Sequence, residues 1–319
     1  MLQKTPSQDA DAVSRSRPKG YVIGVVGGVL AASIWGGWIV ATRHAVTTEL
    51  DPVSIGFIRF LVPAIIFMPF WLQVGMIPRT MRFWEFVLMI IGGGFGVHLL
   101  AAGGLQFAPV AEFGALAPGT IPLFVAGFAY FFWHEKFDRS RLVGLSCIVV
   151  GVLGIGGWSA LTSTSGEWRG HLLFLLTACF WSLYTIMFKR ANMSPFAAAG
   201  LIGLWSSIVL LPFAISFGIA NIGNAPLEDV LLQTTVQGFL SSVVAIVGYG
   251  LAVQALGAAR GAVFTCLVPA IATLLAIPIL GEWPGWHGLA AIGMITIGVT
   301  LASGVVALPG RRPANSTGH

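Results

Sequence analysis

The chain has 319 residues, 56% of them hydrophobic and 9% charged, with 41 glycines. Soluble domains carry about 25% charged residues and about 7% glycine, so 17 basic and 12 acidic side chains cannot solvate a globule of this length. Together with a mean hydropathy of +0.87, this excludes a soluble enzyme and leaves an all-α integral membrane protein.

Apolar stretches run over about 21–42, 53–73, 84–104, 109–133, 140–159, 170–188, 196–219, 231–255, 258–280 and 285–308. Each is close to the roughly 17–25 residues a helix needs to cross a bilayer core, which predicts ten transmembrane helices. Runs such as Ile121–Ala129 lack the alternation of a β-barrel strand. The polar first residues lead straight into span 1 with no short apolar region and small-residue cleavage pattern, so a spanning helix is expected there and not a removed signal peptide.

Basic residues mark the side that stays in the cytoplasm. With the N-terminus inside, the inner set is Lys4, Arg15, Arg17, Lys19, Arg79, Arg82, Lys136, Arg139, Arg141, Lys189, Arg190, Arg260, Arg311 and Arg312, against Arg43 and Arg169 outside, with Arg59 inside span 2. Both termini are therefore expected in the cytoplasm, and the +5 net charge reports topology and no nucleic-acid partner. Cys147, Cys179 and Cys266 lie in apolar runs without metal-type spacing, so neither a disulfide framework nor a metal centre is expected.

The two halves repeat. Ala111–Pro122 aligns with Ala258–Pro269 at a shift of 147 residues, Glu135 falls on Glu282, and Gly151 on Gly298. With a one-residue gap, Trp35 and Trp38 fall on Trp181 and Tyr184, and Arg43 on Lys189. Five spans per unit force the second unit to enter from the opposite side, giving two inverted five-helix repeats, an architecture used by secondary transporters. The expected organisation is a cytoplasmic tail at 1–19, repeats at 20–159 and 170–308 joined by a periplasmic linker at 160–169, and a cytoplasmic tail at 309–319.

Ala262–Glu282 resembles the signature helix of the drug/metabolite transporter superfamily, EamA-like branch, as does its counterpart ending at Glu135; Ser33–Arg43 and Ile58–Leu61 are similar to that branch's first- and second-span motifs. The resemblance covers about residues 20–308. It implies ten helices, a central cavity lined mainly by spans 1, 3, 4, 6, 8 and 9, peripheral spans 5 and 10, and transport of a small metabolite across the cell inner membrane. Departures are Pro118 and Gly119 ahead of Pro122, and Trp38 where the family often has a small or amide residue.

Ionisable residues inside spans are costly and are the first functional candidates. Arg59, His98 and Glu112 fall in one layer in the outer third of the membrane, and their repeat counterparts Ile202, Ala245 and Ala259 give it no inner twin. Arg59 either snorkels or pairs with Glu112, or it recognises a substrate carboxylate or gates the outer side. Glu112 is an acid favoured at a helix start or a proton-coupling carboxylate; His98 is a second proton-relay candidate or a packed bundle histidine. Trp35, Trp38, Trp181 and Tyr184 share a three-residue spacing on repeat-related spans and are expected to wall a cavity, with Tyr249 and Gln254 as polar contributors. Pro122 and Pro269 are expected to kink their helices and act as hinges.

No paired carboxylates, metal cluster or nucleophile arrangement occurs in the spans, so neither catalytic residues nor a cofactor are expected. Nor is there a Gly-rich ATP loop; energy must come from a gradient, with the proton the candidate coupling ion. The resemblance implies export, of an amino acid or related compound, over uptake of a vitamin or sugar-like solute, and both are favoured over a lipid flippase or a membrane-embedded enzyme.

Overall fold

The computed structural model describes residues 18–48, 50–134, 137–162, 166–256, 264–265 and 267–302, and among them there is no β-strand. The two polar tails, Glu49, Glu135, Lys136, Arg260 and Cys266 lie outside the described residues.

Helix α1 runs over Pro18–Thr47. Asp51 then caps α2 (Pro52–Ile66), its Oδ1 accepting the N–H groups of Val53 and Ser54 at 2.8 and 3.1 Å, with Pro52 in the first turn where its missing donor costs nothing. The helix breaks at Phe67, where Pro69 has no N–H to return to the preceding turn, and α3 (Met68–Val74) leaves at 74° to it. The Trp71 indole donates to the Ala64 carbonyl at 2.8 Å, filling a bond the break leaves open.

Gly94 separates α4 (Phe83–Gly93) from α5 (Phe95–Gly104), and Ser206 Oγ accepts the Phe95 N–H there at 3.1 Å. Four long helices follow: α6 (Val110–Trp133), α7 (Arg139–Thr162), α8 (Trp168–Ala191) and α9 (Pro195–Phe213), the last running through a π-turn at 214–218 into α10 (Ile219–Asn224). Helix α11 (Leu227–Gln233), an eleven-residue π-helical segment (Thr234–Val244) and α12 (Ala245–Leu256) form one continuous rod. After α13 (Val268–Leu280), Gly281 takes the left-handed conformation, φ 70°, that glycine adopts without steric cost, and α14 (Trp286–Ala302) closes the bundle.

Among the described residues, seven helical stretches are long and apolar enough to span a membrane, α2 with α3 forms an eighth bent segment, and α13 and α14 are shorter apolar helices. The strongest packing pairs are α7 on α14, α1 on α12, α2 on α9, α6 on α8, α1 on α13, and α8 on α4 and α5. Exchanging α1 with α8, α2 with α9, α4–α5 with α11–α12, α6 with α13 and α7 with α14 maps each of these pairs onto another in the set or onto itself. The relation is incomplete. Helix α14 also packs on α6, whereas among the described residues α7 makes no comparable packing on α13.

Close helix approach rests on small residues. A Cβ at Gly144 would stand 2.6 Å from the Gly298 carbonyl oxygen, and one at Gly298 would stand 2.6 Å from that of Gly144. Gly298→Val is therefore expected to wedge α7 from α14 at a cost of about 1–3 kcal/mol, seen as a thermal midpoint several degrees lower in detergent. An unchanged midpoint would refute the close crossing.

Candidate functional site

The aromatic residues of α1 do not stand alone. Arg59, on α2, lays its guanidinium over the Trp38 ring, 4.6 Å from Cζ to the ring centre, and 5.9 Å from Phe60. Its Nη1 donates to Gln237 Oε1 at 3.3 Å and to Ser241 Oγ at 3.1 Å, both on the π-helical segment.

Gln237 is the hub. Its Nε2 donates to Thr42 Oγ1 at 2.8 Å and to Gln233 Oε1 at 3.1 Å, Gln233 Nε2 donates to the Ala41 carbonyl at 3.0 Å, and Thr42 Oγ1 donates to the Trp38 carbonyl at 2.7 Å. Thr42, Gln233 and Gln237 are fully buried. The Trp35 indole donates to the Ser241 carbonyl at 3.3 Å and packs against Tyr249, with ring centres 5.5 Å apart.

The winding of the rod explains why one face carries this set. Residues four apart advance past one turn in an α-helix, while the wider turn of an i→i+5 helix brings Gln233, Gln237 and Ser241 closer to one line. That line meets α1 and α2. The cluster thus draws on the second span, which the family resemblance leaves out of the cavity lining.

One cation in this cluster lacks a protein counter-ion, and one donor lacks an acceptor. No carboxylate stands within ion-pair distance of Arg59 among the described residues, and the buried indole N–H of Trp38 has no acceptor. Glu112, the partner considered for Arg59 on sequence grounds, is engaged elsewhere: its Oε2 lies 2.6 Å from His171 Nε2 of α8.

Near Glu112, a second polar set joins four elements. Glu282 Oε1 accepts Arg43 Nε at 2.7 Å and Oε2 accepts the Val110 N–H at 2.9 Å, while Arg43 Nη1 donates to the Leu105 carbonyl. An acid from the loop after α13 thereby caps the N-terminus of α6 and clasps the end of α1. A crevice beside it is lined by Glu112, Thr273, Glu282, Trp283 and Gly288. Lys189, the repeat counterpart of Arg43, is exposed and makes no ion pair among the described residues.

Two further pairs are related by the repeat. His44 at the end of α1 lies 3.7 Å from Asp229 in the first turn of α11, and Arg190 at the end of α8 lies 3.4 Å from Glu85 in the first turn of α4. Both are formed together, so they tie helices at opposite ends of the bundle in one and the same conformation.

Of the remaining residues singled out in the sequence, His98 adjoins the Arg59 cluster through Phe60, while Trp181, Tyr184 and Gln254 lie apart from it. His98 is buried against α2, its Nε2 3.1 Å from the Pro52 carbonyl and its ring edge-on to Phe60 at 5.8 Å. Trp181 and Tyr184 pack on each other at 5.1 Å, and Tyr184 stacks on Phe188 at 5.8 Å and lies against Gly92 and Gly93. Gln254 is exposed on α12.

Pro122 lies inside α6 with Pro118, whereas Pro269 occupies the first turn of α13, where no hydrogen bond is lost. The two prolines match in sequence and differ in helical context, which corrects the expectation of equivalent mid-helix kinks. Gln233, Gln237, Ser241, Thr42 and His171 were not apparent beforehand; the four-residue spacing of the two glutamines in an apolar run was the available signal.

The comparisons agree with the helical plan. The profile of the EamA-like transporter family matches residues 22–157 and 168–304. The chain is 25% identical to a probable amino-acid metabolite efflux pump of Salmonella typhimurium over 91% of this chain and 97% of that protein. It is 23% identical to the uncharacterized transporter YyaM of Bacillus subtilis over 70% of this chain and 74% of that one. A solved crystal structure covers 91% of the chain and 98% of its own, at TM-score 0.56 and 21% identity, a likeness of fold. With both halves matched by one profile and relatives that carry transporter names over most of its length, the chain belongs to the EamA-like transporter family and is a transporter, not an enzyme.

Proposed function

We propose that this protein is a secondary-active transporter of the cytoplasmic (inner) membrane that exports amino acids or related small metabolites by alternating access. Ten spans arranged as inverted repeats at 20–159 and 170–308, with both termini cytoplasmic, fit the seven long apolar stretches, the bent pair and the two shorter helices, and the concentration of basic residues on one side. The Arg43 end of the bundle is then periplasmic.

The observation that carries the reading is the cluster of Arg59, Trp38, Gln237 and Ser241 between α1, α2 and the π-helical segment. A half-buried cation and a chain of buried amides have no packing role in an apolar bundle that a leucine would not fill at lower cost. Indole and phenol rings beside them supply apolar walls with polar edges, which suits a small zwitterion with an apolar remainder. Export is supported by the name of the Salmonella relative.

Glu112 with His171 is the candidate proton-binding pair, since it stands beside the Arg43-end crevice with a carboxylate and an imidazole in hydrogen-bond contact. In proteoliposomes, collapse of the proton gradient is expected to cut flux of a transported amino acid to the facilitated level, and Glu112→Gln to make flux insensitive to the gradient. Gradient-independent flux in the wild type would end the proton proposal and leave transport itself standing.

A further inference from the structure

We infer that Arg59 is the anchor for a substrate carboxylate, so that the transported solute is an anion or zwitterion held by its carboxyl group against Trp38 and the Gln237–Ser241 face. The inference rests on the transporter reading above and specifies which chemical group the site selects.

A guanidinium at membrane depth costs several kcal/mol unless a counter-charge or a full set of acceptors meets it. Snorkelling to head groups is not what Arg59 does: Nη1 is turned onto the π-helical segment and the ring of Trp38 covers one face of the guanidinium. Two neutral oxygens on one nitrogen leave Nε and Nη2 without protein acceptors among the described residues. Those two nitrogens form the fork that matches a carboxylate bidentately.

The neighbouring groups are set to receive the same ligand. Gln237 spends its amide N–H groups on Thr42 and Gln233 and so turns its oxygen toward Arg59. The buried Trp38 N–H is a further donor in need of an oxygen. Among the described residues no acid enters the cluster, so a solute amine would meet only carbonyl and hydroxyl oxygens and the faces of Trp35 and Tyr249 there. Charge selection therefore falls on the carboxyl end.

The test uses the full-length protein in proteoliposomes and pairs of solutes that differ at one group: each protein amino acid, its carboxamide, and the amine left by removing the carboxyl group. Transported amino acids are expected to lose at least about tenfold in apparent affinity as carboxamides, the size of a lost charge-assisted bond. Arg59→Gln is expected to abolish that discrimination, and Arg59→Lys to keep part of it as a point charge. Monodisperse elution and an unchanged circular dichroism spectrum certify each variant as folded. Carboxamides or amines carried as well as the parent acids would overturn the carboxylate anchor while leaving the transporter reading intact. Absence of flux for any solute would overturn that reading and the inference with it.

Discussion

Gln237→Glu is expected to abolish most transport while leaving the protein folded. The wild-type amide already points its oxygen at Arg59 Nη1 at 3.3 Å, so a carboxylate in its place gives the guanidinium a permanent counter-ion, at the loss of the Nε2 donor to Thr42 and Gln233. Conversion of a neutral hydrogen bond to a charge-assisted one is worth about 1–2 kcal/mol or more in a dry setting. The same carboxylate competes with the solute from within, so apparent affinity for a transported amino acid should fall by tenfold or more.

The companion variant Gln237→Leu removes the hub without adding charge. It strips Gln233 Oε1 of its donor and Arg59 of one acceptor, at a cost of about 1–3 kcal/mol for groups left buried and unpartnered. Both substitutions lose the donor to Gln233 and only Gln237→Glu gains a counter-ion for Arg59, so Gln237→Glu should be the more stable of the two while both lower transport. Wild-type affinity in Gln237→Glu would show that the solute does not bind at this face.

What could be read in the sequence and what could not divides along a physical line. All-helical apolar character, repeat and family motif are properties of long averages, and they survive local detail. Arg59, Trp35 and Trp38 were also visible, because a cation or an indole inside an apolar run is rare enough to register by itself.

Gln233, Gln237, Ser241 and Thr42 were hidden for the opposite reason. They are uncharged, they sit among apolar neighbours, and their meaning lies in contacts across roughly 180–195 residues of chain and in a π-helical winding that no local pattern announces. The same holds for Glu112, whose rarity made it visible but whose partner, His171, is supplied by a different repeat. Pro122 and Pro269 teach the converse: identical positions in a repeat acquire different roles once α13 starts at Val268 and the proline falls into its first turn.

Glu282→Gln is expected to loosen the Arg43 end and bias the protein toward opening there. In the wild type Glu282 holds Arg43 of α1 and the first N–H of α6 together, and Arg43 in turn holds the carbonyl that ends α5. Both charged side chains are about four-fifths covered, with 18% and 20% of their surfaces exposed, so loss of the pair should cost about 1–3 kcal/mol, below the range of a fully buried one. An asymmetry in the repeats makes this end informative: Arg43 is clasped, while its counterpart Lys189 is exposed with no ion pair among the described residues. One conformation of an alternating-access cycle should show such one-sidedness, whereas the pairs His44–Asp229 and Arg190–Glu85, formed at both ends together, should persist through the cycle. Thr273 lines the crevice behind the clasp and reports its opening. With Thr273→Cys in a background free of native cysteines, a membrane-impermeant thiol reagent applied from the periplasmic side is expected to label Glu282→Gln at least several-fold faster than the parent, and Arg43→Gln should do the same. The double variant should label no faster than either single one, because the two act through one bond. Additive acceleration, or none, would mean that the pair supports stability without controlling access.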